Sequence, residues 1–304
     1  MIRSRLFFLA VALAMVAVLF TGCGGGEQKE AGTEGGKVVV GSKNFNENII
    51  LGEMLAQLIE AKTDLTVERK SNLGGTMVCF NALKQGDLDL YPDYTGTGLM
   101  AVLKQPVETD PNKVYNYVQE QYNEQFGIKW MEPFGFNNTY AIALSQETVD
   151  EHNLSKVSDL APLAPDMVFG SDDEFFNRPD GYDGLVETYG LNFKDTKSFE
   201  IALRYQAAAQ NKIDVTNAFS TDGELITYQL KVLEDDKGFF PPYYCTAIVR
   251  MDTLEKYPEL EETLNLLGGQ INDEEMQQLN YKVAEEERDA KDVVNEFLQA
   301  KGII

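Results

Sequence analysis

Forty-nine acidic side chains, a single histidine and three cysteines bound the chemistry open to this 304-residue chain. The histidine, His152, stands in the polar stretch Asp150-Glu151-His152-Asn153, so any Ser-His-Asp or Cys-His apparatus would rest on it alone. It reads as a solvated turn residue. No group of Cys and His has metal-ligand spacing. Asp87, Asp89 and Asp93 alternate in the manner of a calcium loop, but Tyr91 and Pro92 stand where that loop needs a ligand and a glycine. Gly74-Gly75-Thr76 lacks both the lysine of a phosphate loop and the spacing of a dinucleotide loop, and reads as a helix start. No carboxylate pair stands out as a glycoside-hydrolysing couple. The residues argue for neither catalysis nor a cofactor or metal.

The aromatics carry more information. Tyr91 and Tyr94 flank Pro92-Asp93, Tyr140 follows Asn137-Asn138, Phe219 lies just past the strand-like run at 213–216, and Tyr243-Tyr244 follow Pro241-Pro242. Each falls at the end of a strand-like run or at the loop edge beside one. One aromatic there is more often core than site, but several meeting in one cleft would form an aromatic box. A quaternary ammonium has no N–H to donate, whereas ring faces attract it by about 0.5–2 kcal/mol each.

The elements that must position these residues alternate between strand and helix. Lys37–Gly41, 65–67 and 88–91 read as strands, the last stopped by Pro92, with helices over 49–59 and 77–83 between them. A second set follows: strands at 140–144, 167–170, 213–216 and 230–233, with helical stretches at 181–189 and 198–211. A strand at 247–250 and a helical segment over 252–300 close the chain. Such alternation predicts α/β architecture on largely parallel sheets, in two lobes, with ligands outside the carboxyl ends of the strands. Cys79 and Cys245 sit among apolar and aromatic neighbours and read as buried core thiols.

The first 22 residues read as a secretory signal. Arg3 and Arg5 precede an apolar run of about 15 residues, short of the roughly 20 a membrane span needs, and Thr21-Gly22-Cys23 ends it. Cys23 resembles the lipid-bearing cysteine of a bacterial lipobox, with Phe20 a departure from the usual residue. Residues 23–36 are glycine-rich and polar, a flexible tether. Without Arg3 and Arg5 the chain carries 24 basic against 49 acidic groups, a net of −25 that repels nucleic acid.

Six motifs in chain order resemble the osmoprotectant-binding proteins of ABC importers. They are Gly41 to Glu47, Asn72 to Thr76, Tyr91 to Thr97, Gly170-Ser171-Asp172 with Arg178 to Gly181, Phe219 to Gly223, and Glu234 to Gly238 with Pro241-Pro242-Tyr243. The resemblance implies a two-lobed periplasmic-binding-protein (venus flytrap) fold with two crossings and a cleft between the lobes. Lobe one would take 37–136 plus 242–304, and lobe two 137–241. The implied ligand is glycine betaine, proline betaine, carnitine or choline, handed to the membrane permease subunits outside the cell membrane. Tyr94, Tyr140 and Tyr243 match the family's cage tyrosines, while Phe219 replaces a fourth. Lys43, Thr97 and Arg178 match the contacts to a betaine's carboxylate. The nearest alternative is a protein on the same scaffold that binds an amino acid or another small cation; a surface enzyme and a sensor lipoprotein are more distant ones.

Overall fold

The structure is a computed structural model that describes residues 35–304. The expected signal (1–22), Cys23 and all but the last two residues of the tether lie outside the described residues.

Among the described residues, ten strands form two five-stranded sheets. The first holds β1 (Lys37–Gly41), β2 (Thr66–Lys70), β3 (Leu90–Tyr94), β4 (Ile128–Trp130) and β10 (Cys245–Arg250), in the order β2-β1-β3-β10-β4. The second holds β5 (Tyr140–Ser145), β6 (Val168–Ser171), β7 (Asp195–Ser198), β8 (Val215–Phe219) and β9 (Leu230–Leu233), in the order β7-β6-β8-β5-β9. Both sheets are mixed rather than uniformly parallel. β10 pairs antiparallel with β3 and β4, and β5 pairs antiparallel with β8 and β9. In each sheet the reversed strand is the first one after the chain has crossed from the other sheet.

Helix α1 (Asn46–Lys62) is buried on nearly every side, Ile50, Leu51, Met54, Leu55, Leu58 and Ile59 all being inaccessible. Apolar residues over most of the circumference, with the buried polar pair Glu53 and Gln57 on the remaining face, suit a helix that is covered on nearly every side. It packs against the first sheet and against the helices at 259–265, 273–284 and 290–300. Gly52 permits the close approach, since a Cβ there would lie 3.0 Å from the Gly41 carbonyl oxygen. Cys79 and Cys245 are buried free thiols.

Three sequence expectations are corrected. Pro92 lies inside β3 rather than stopping it. The parallel partner β1 pairs with β3 only at Leu90, so Pro92 needs no N–H on that side, and its carbonyl accepts from Asn48 Nδ2 at 2.8 Å. The strand read at 213–216 runs over 215–219, and the helix read at 198–211 covers only Leu203–Ala209, because Asp195–Ser198 is strand. The capped helix at Pro111–Phe126 and the short β4 were not anticipated.

The two crossings touch each other. Asn138 N donates to Tyr243 O at 3.2 Å, and Tyr243 N donates to Asn137 Oδ1 at 2.7 Å. Tyr140 therefore opens β5 directly after one crossing, and Tyr243 sits in the other.

Candidate functional site

A narrow cleft lies between the two sheets, where strand ends and helix starts converge. All seven residues singled out from the sequence line it: Lys43, Tyr94, Thr97, Tyr140, Arg178, Phe219 and Tyr243. The reason is topological. Lys43 follows the end of β1, Tyr94 ends β3, Tyr140 begins the reversed strand β5, and Phe219 ends β8. All face the gap at the carboxyl ends of the parallel strands, with β5 entering from the same edge.

The rings form a continuous arc. Tyr140 and Tyr243 meet edge to face at 5.5 Å, Tyr140 and Phe219 lie 4.8 Å apart, and Phe219 stacks on Phe45 at 5.4 Å. Phe45 then reaches Tyr94 at 6.1 Å. Phe45 was not among the site residues read from the sequence; its position immediately before α1, inside the motif around Lys43, was the signal for it. Gly96 makes room for the Tyr243 ring, which a Cβ there would approach to 2.7 Å. Three rings already carry a protein cation: Lys43 Nζ over Tyr94, Arg178 Cζ over Tyr140 and Arg204 Cζ over Phe219, each 5.3 Å from the centroid.

Those cations are paired. Lys43 Nζ donates to Asp93 Oδ1 at 2.6 Å and to Thr76 Oγ1 at 3.1 Å. Arg178 grips both Asp180 oxygens, through Nε at 2.9 Å and Nη2 at 2.5 Å, and its Nη1 reaches Glu174 at 3.2 Å. The Arg178 Nη2 contact to Thr97 Oγ1, at 3.4 Å, spans the two lobes. With Asp172 and Glu174 also in the wall, acids balance every cation the cleft presents.

One buried acid was missed. Glu47, in the first turn of α1, is 2 % exposed and accepts from four donors. They are Tyr94 Oη at 2.8 Å, Asn138 Nδ2 at 2.7 Å, Thr221 Oγ1 at 2.5 Å and Asn280 Nδ2 at 2.9 Å. These come from the end of β3, a crossing, the segment after β8 and the helix at 273–284. Glu47 thus ties the ring of Tyr94 to a crossing and to the opposite lobe. Burial pushes its carboxyl up to about 7, Asp222 adds to that push, and the hydrogen bonds hold it down.

Among the described residues no group of acids, cysteines and histidine is placed to hold a metal ion, and no helix is long and apolar enough to cross a membrane.

The family model for the substrate binding domain of the ABC-type glycine betaine transport system matches residues 36–300. A carnitine transport binding protein of Listeria monocytogenes (strain 10403S) is 38% identical over 262 residues, covering 86% of this chain and 85% of its own. An ergothioneine transport permease/binding protein of Helicobacter pylori (strain G27) is also 38% identical, over 267 residues and 88% of this chain; the chain spans only 48% of that longer relative. A crystal structure described as a glycine betaine/carnitine/choline ABC transporter superposes with a TM-score of 0.72 at 36% identity, covering 88% of this chain and 99% of the other. Both lobes are α/β layers of the periplasmic-binding-protein kind, and the matched proteins serve transport rather than catalysis. The chain belongs to the family of substrate-binding domains of ABC-type glycine betaine transport systems.

Proposed function

We propose that this chain captures a small quaternary-ammonium solute (glycine betaine, proline betaine, carnitine or choline) between its lobes and hands it to an ABC permease for osmoprotection. The observation that carries the reading is the arc of Tyr94, Phe219, Tyr140 and Tyr243, drawn from β3, β8, β5 and a crossing onto one cleft. Their faces would cage the trimethylammonium head, with Phe219 supplying a ring and no hydroxyl. Lys43, Thr97 and Arg178 would face the polar end of the ligand, Arg178 as a planar fork. The moving bodies would be 37–136 plus 242–304 and 137–241, with the paired crossings as the hinge. Ligand binding would shift an existing open–closed equilibrium toward the closed form. Substrate-binding proteins of ABC importers work outside the cytoplasm, and here Cys23 would supply the lipid anchor to the membrane.

A second reading keeps the scaffold and changes the ligand to an amino acid or another small cation. Asp172 and Glu174 in the same wall favour it, because they could accept from the N–H groups that a quaternary ammonium lacks. Calorimetry of the purified protein against glycine betaine, carnitine, choline and proline separates the two. Binding confined to N–H-bearing ligands would remove the first reading.

A further inference from the structure

Glu174 occupies a place that a ligand's carboxylate would be expected to take. It starts from the short helix Asp173–Asn177 in the second lobe and crosses the cleft to the N-terminus of α2 (Thr76–Gln85) in the first. There Oε2 accepts from the Thr76 backbone N–H at 3.1 Å and Oε1 from Thr76 Oγ1 at 2.5 Å, while Arg178 Nη1 lies 3.2 Å from Oε1. Lys43 donates to the same Thr76 hydroxyl. A helix-terminal N–H, a hydroxyl, a lysine and an arginine together make an anion cradle. Gly75 keeps it open. A Cβ there would lie 2.2 Å from Glu174 Oε2, although the backbone at Gly75 (φ −73°) suits any residue. Burial alone would raise the Glu174 carboxyl, yet Arg178, Lys43 and the Thr76 donors outweigh it and hold the group below the usual carboxylate range.

We propose that Glu174 is a specificity-determining residue: an internal carboxylate that fills the cradle and makes the cleft favour a quaternary ammonium without a carboxylate, an alcohol of the choline kind, over a betaine. The inference rests on the quaternary-ammonium reading above and narrows it. Lys43 is already matched by Asp93 and Arg178 by Asp180. A second carboxylate must therefore expel Glu174 or lie beside it at like charge, which is strongly unfavourable when desolvated. A hydroxyl meets neither penalty. Asn138 lines the same cleft, and its Oδ1 is buried with no hydrogen-bond partner among the described residues, an acceptor for such a hydroxyl.

The test is titration of the intact protein and of its Glu174→Gln and Glu174→Ala variants with choline and glycine betaine, each beside a melting curve. The amide of Gln keeps the size and removes the charge; Ala empties the cradle. Wild type should hold choline more tightly, and both variants should move the ratio of dissociation constants toward glycine betaine by about tenfold or more. The ratio cancels any general loss from weakened lobe contact. A ratio unchanged in both variants, or a wild type that favours glycine betaine, overturns the role of Glu174 and leaves the quaternary-ammonium reading standing. Binding of neither ligand by wild type sinks that reading, and this inference with it.

Discussion

Tyr140 and Phe219 are directly opposed across the antiparallel pair β5 and β8, the first residue of one strand against the last of the other, with ring centroids 4.8 Å apart. The pairing register, rather than side-chain choice alone, brings these two rings together. Their outer neighbours, Tyr243 and Phe45, come from a crossing and from the start of α1. Tyr140→Ala should weaken binding of a trimethylammonium ligand by about 0.5–2 kcal/mol or more, since it removes one face and the support for its neighbours. Phe219→Tyr should be neutral or tighter. Calorimetry beside a melting curve checks both, and an unchanged affinity in Tyr140→Ala with the fold intact would remove Tyr140 from the cage.

Arg178 and Asp180 form a buried two-point ion pair, 7 % and 0 % exposed, and Tyr243 Oη also donates to Asp180 Oδ2 at 2.5 Å. Arg178→Ala strands a buried carboxylate and should cost about 3–5 kcal/mol of stability in denaturant unfolding. Adding Asp180→Asn should recover part of that loss, because the stranded charge is gone. No recovery in the double variant would mean that Arg178 stabilises through its packing. In titrations corrected for folding, Arg178→Ala should weaken glycine betaine more than choline, which has a hydroxyl instead of a carboxylate. Equal losses would end the proposed carboxylate role of Arg178.

Much of this site was legible because its rings stand at strand ends that announce themselves. The Val38-Val39-Val40 run before Gly41 and the Tyr140–Leu144 run read as strands and are strands. Asp195–Ser198 could not be read that way: every residue of β7 is exposed, and only its pairing with β6 makes it a strand. The helix at Pro111–Phe126 buries only Val114, Val118 and Tyr122, a thin stripe, although Asp110-Pro111 and Gly127 mark its ends. Glu47 looked like an ordinary acid at a helix start. Its donors come from as far as 233 residues along the chain, and only the fold assembles them. Glu174, four residues before Arg178, has the spacing of an ordinary i,i+4 ion pair, which it makes, and nothing local shows that it also reaches α2.

The proposed anchor makes a separate prediction. The basic start, the apolar run and Thr21-Gly22-Cys23 motivate it. Cys23→Ala should leave the precursor unprocessed or release the protein from membranes in the native host, as read by mass and membrane fractionation. Unchanged mass and partition would end the lipoprotein reading and leave the cleft untouched.

Glu47 gives the protein an unusual dependence on pH. Its carboxyl stands at about 7 in the fold, against 4.5 for the ordinary group, because burial outweighs its four hydrogen bonds. Between those two values the folded chain keeps a proton that the unfolded chain has released. This contribution to stability is therefore full below about pH 4.5, declines as pH rises, and is gone above about 7, by up to about 1.4 kcal/mol per pH unit. Glu224 is also raised to about 7, by burial and by Asp222, and adds a slope of the same sign. The informative quantity is thus the difference between wild type and Glu47→Gln in urea midpoints across pH 5 to 8. The variant should be less stable throughout, since an amide offers one acceptor oxygen to four donors. It should also lose less stability between pH 5 and 7 than wild type does. Parallel curves for the two proteins would show that Glu47 stays ionised across the range, with its four donors prevailing over burial.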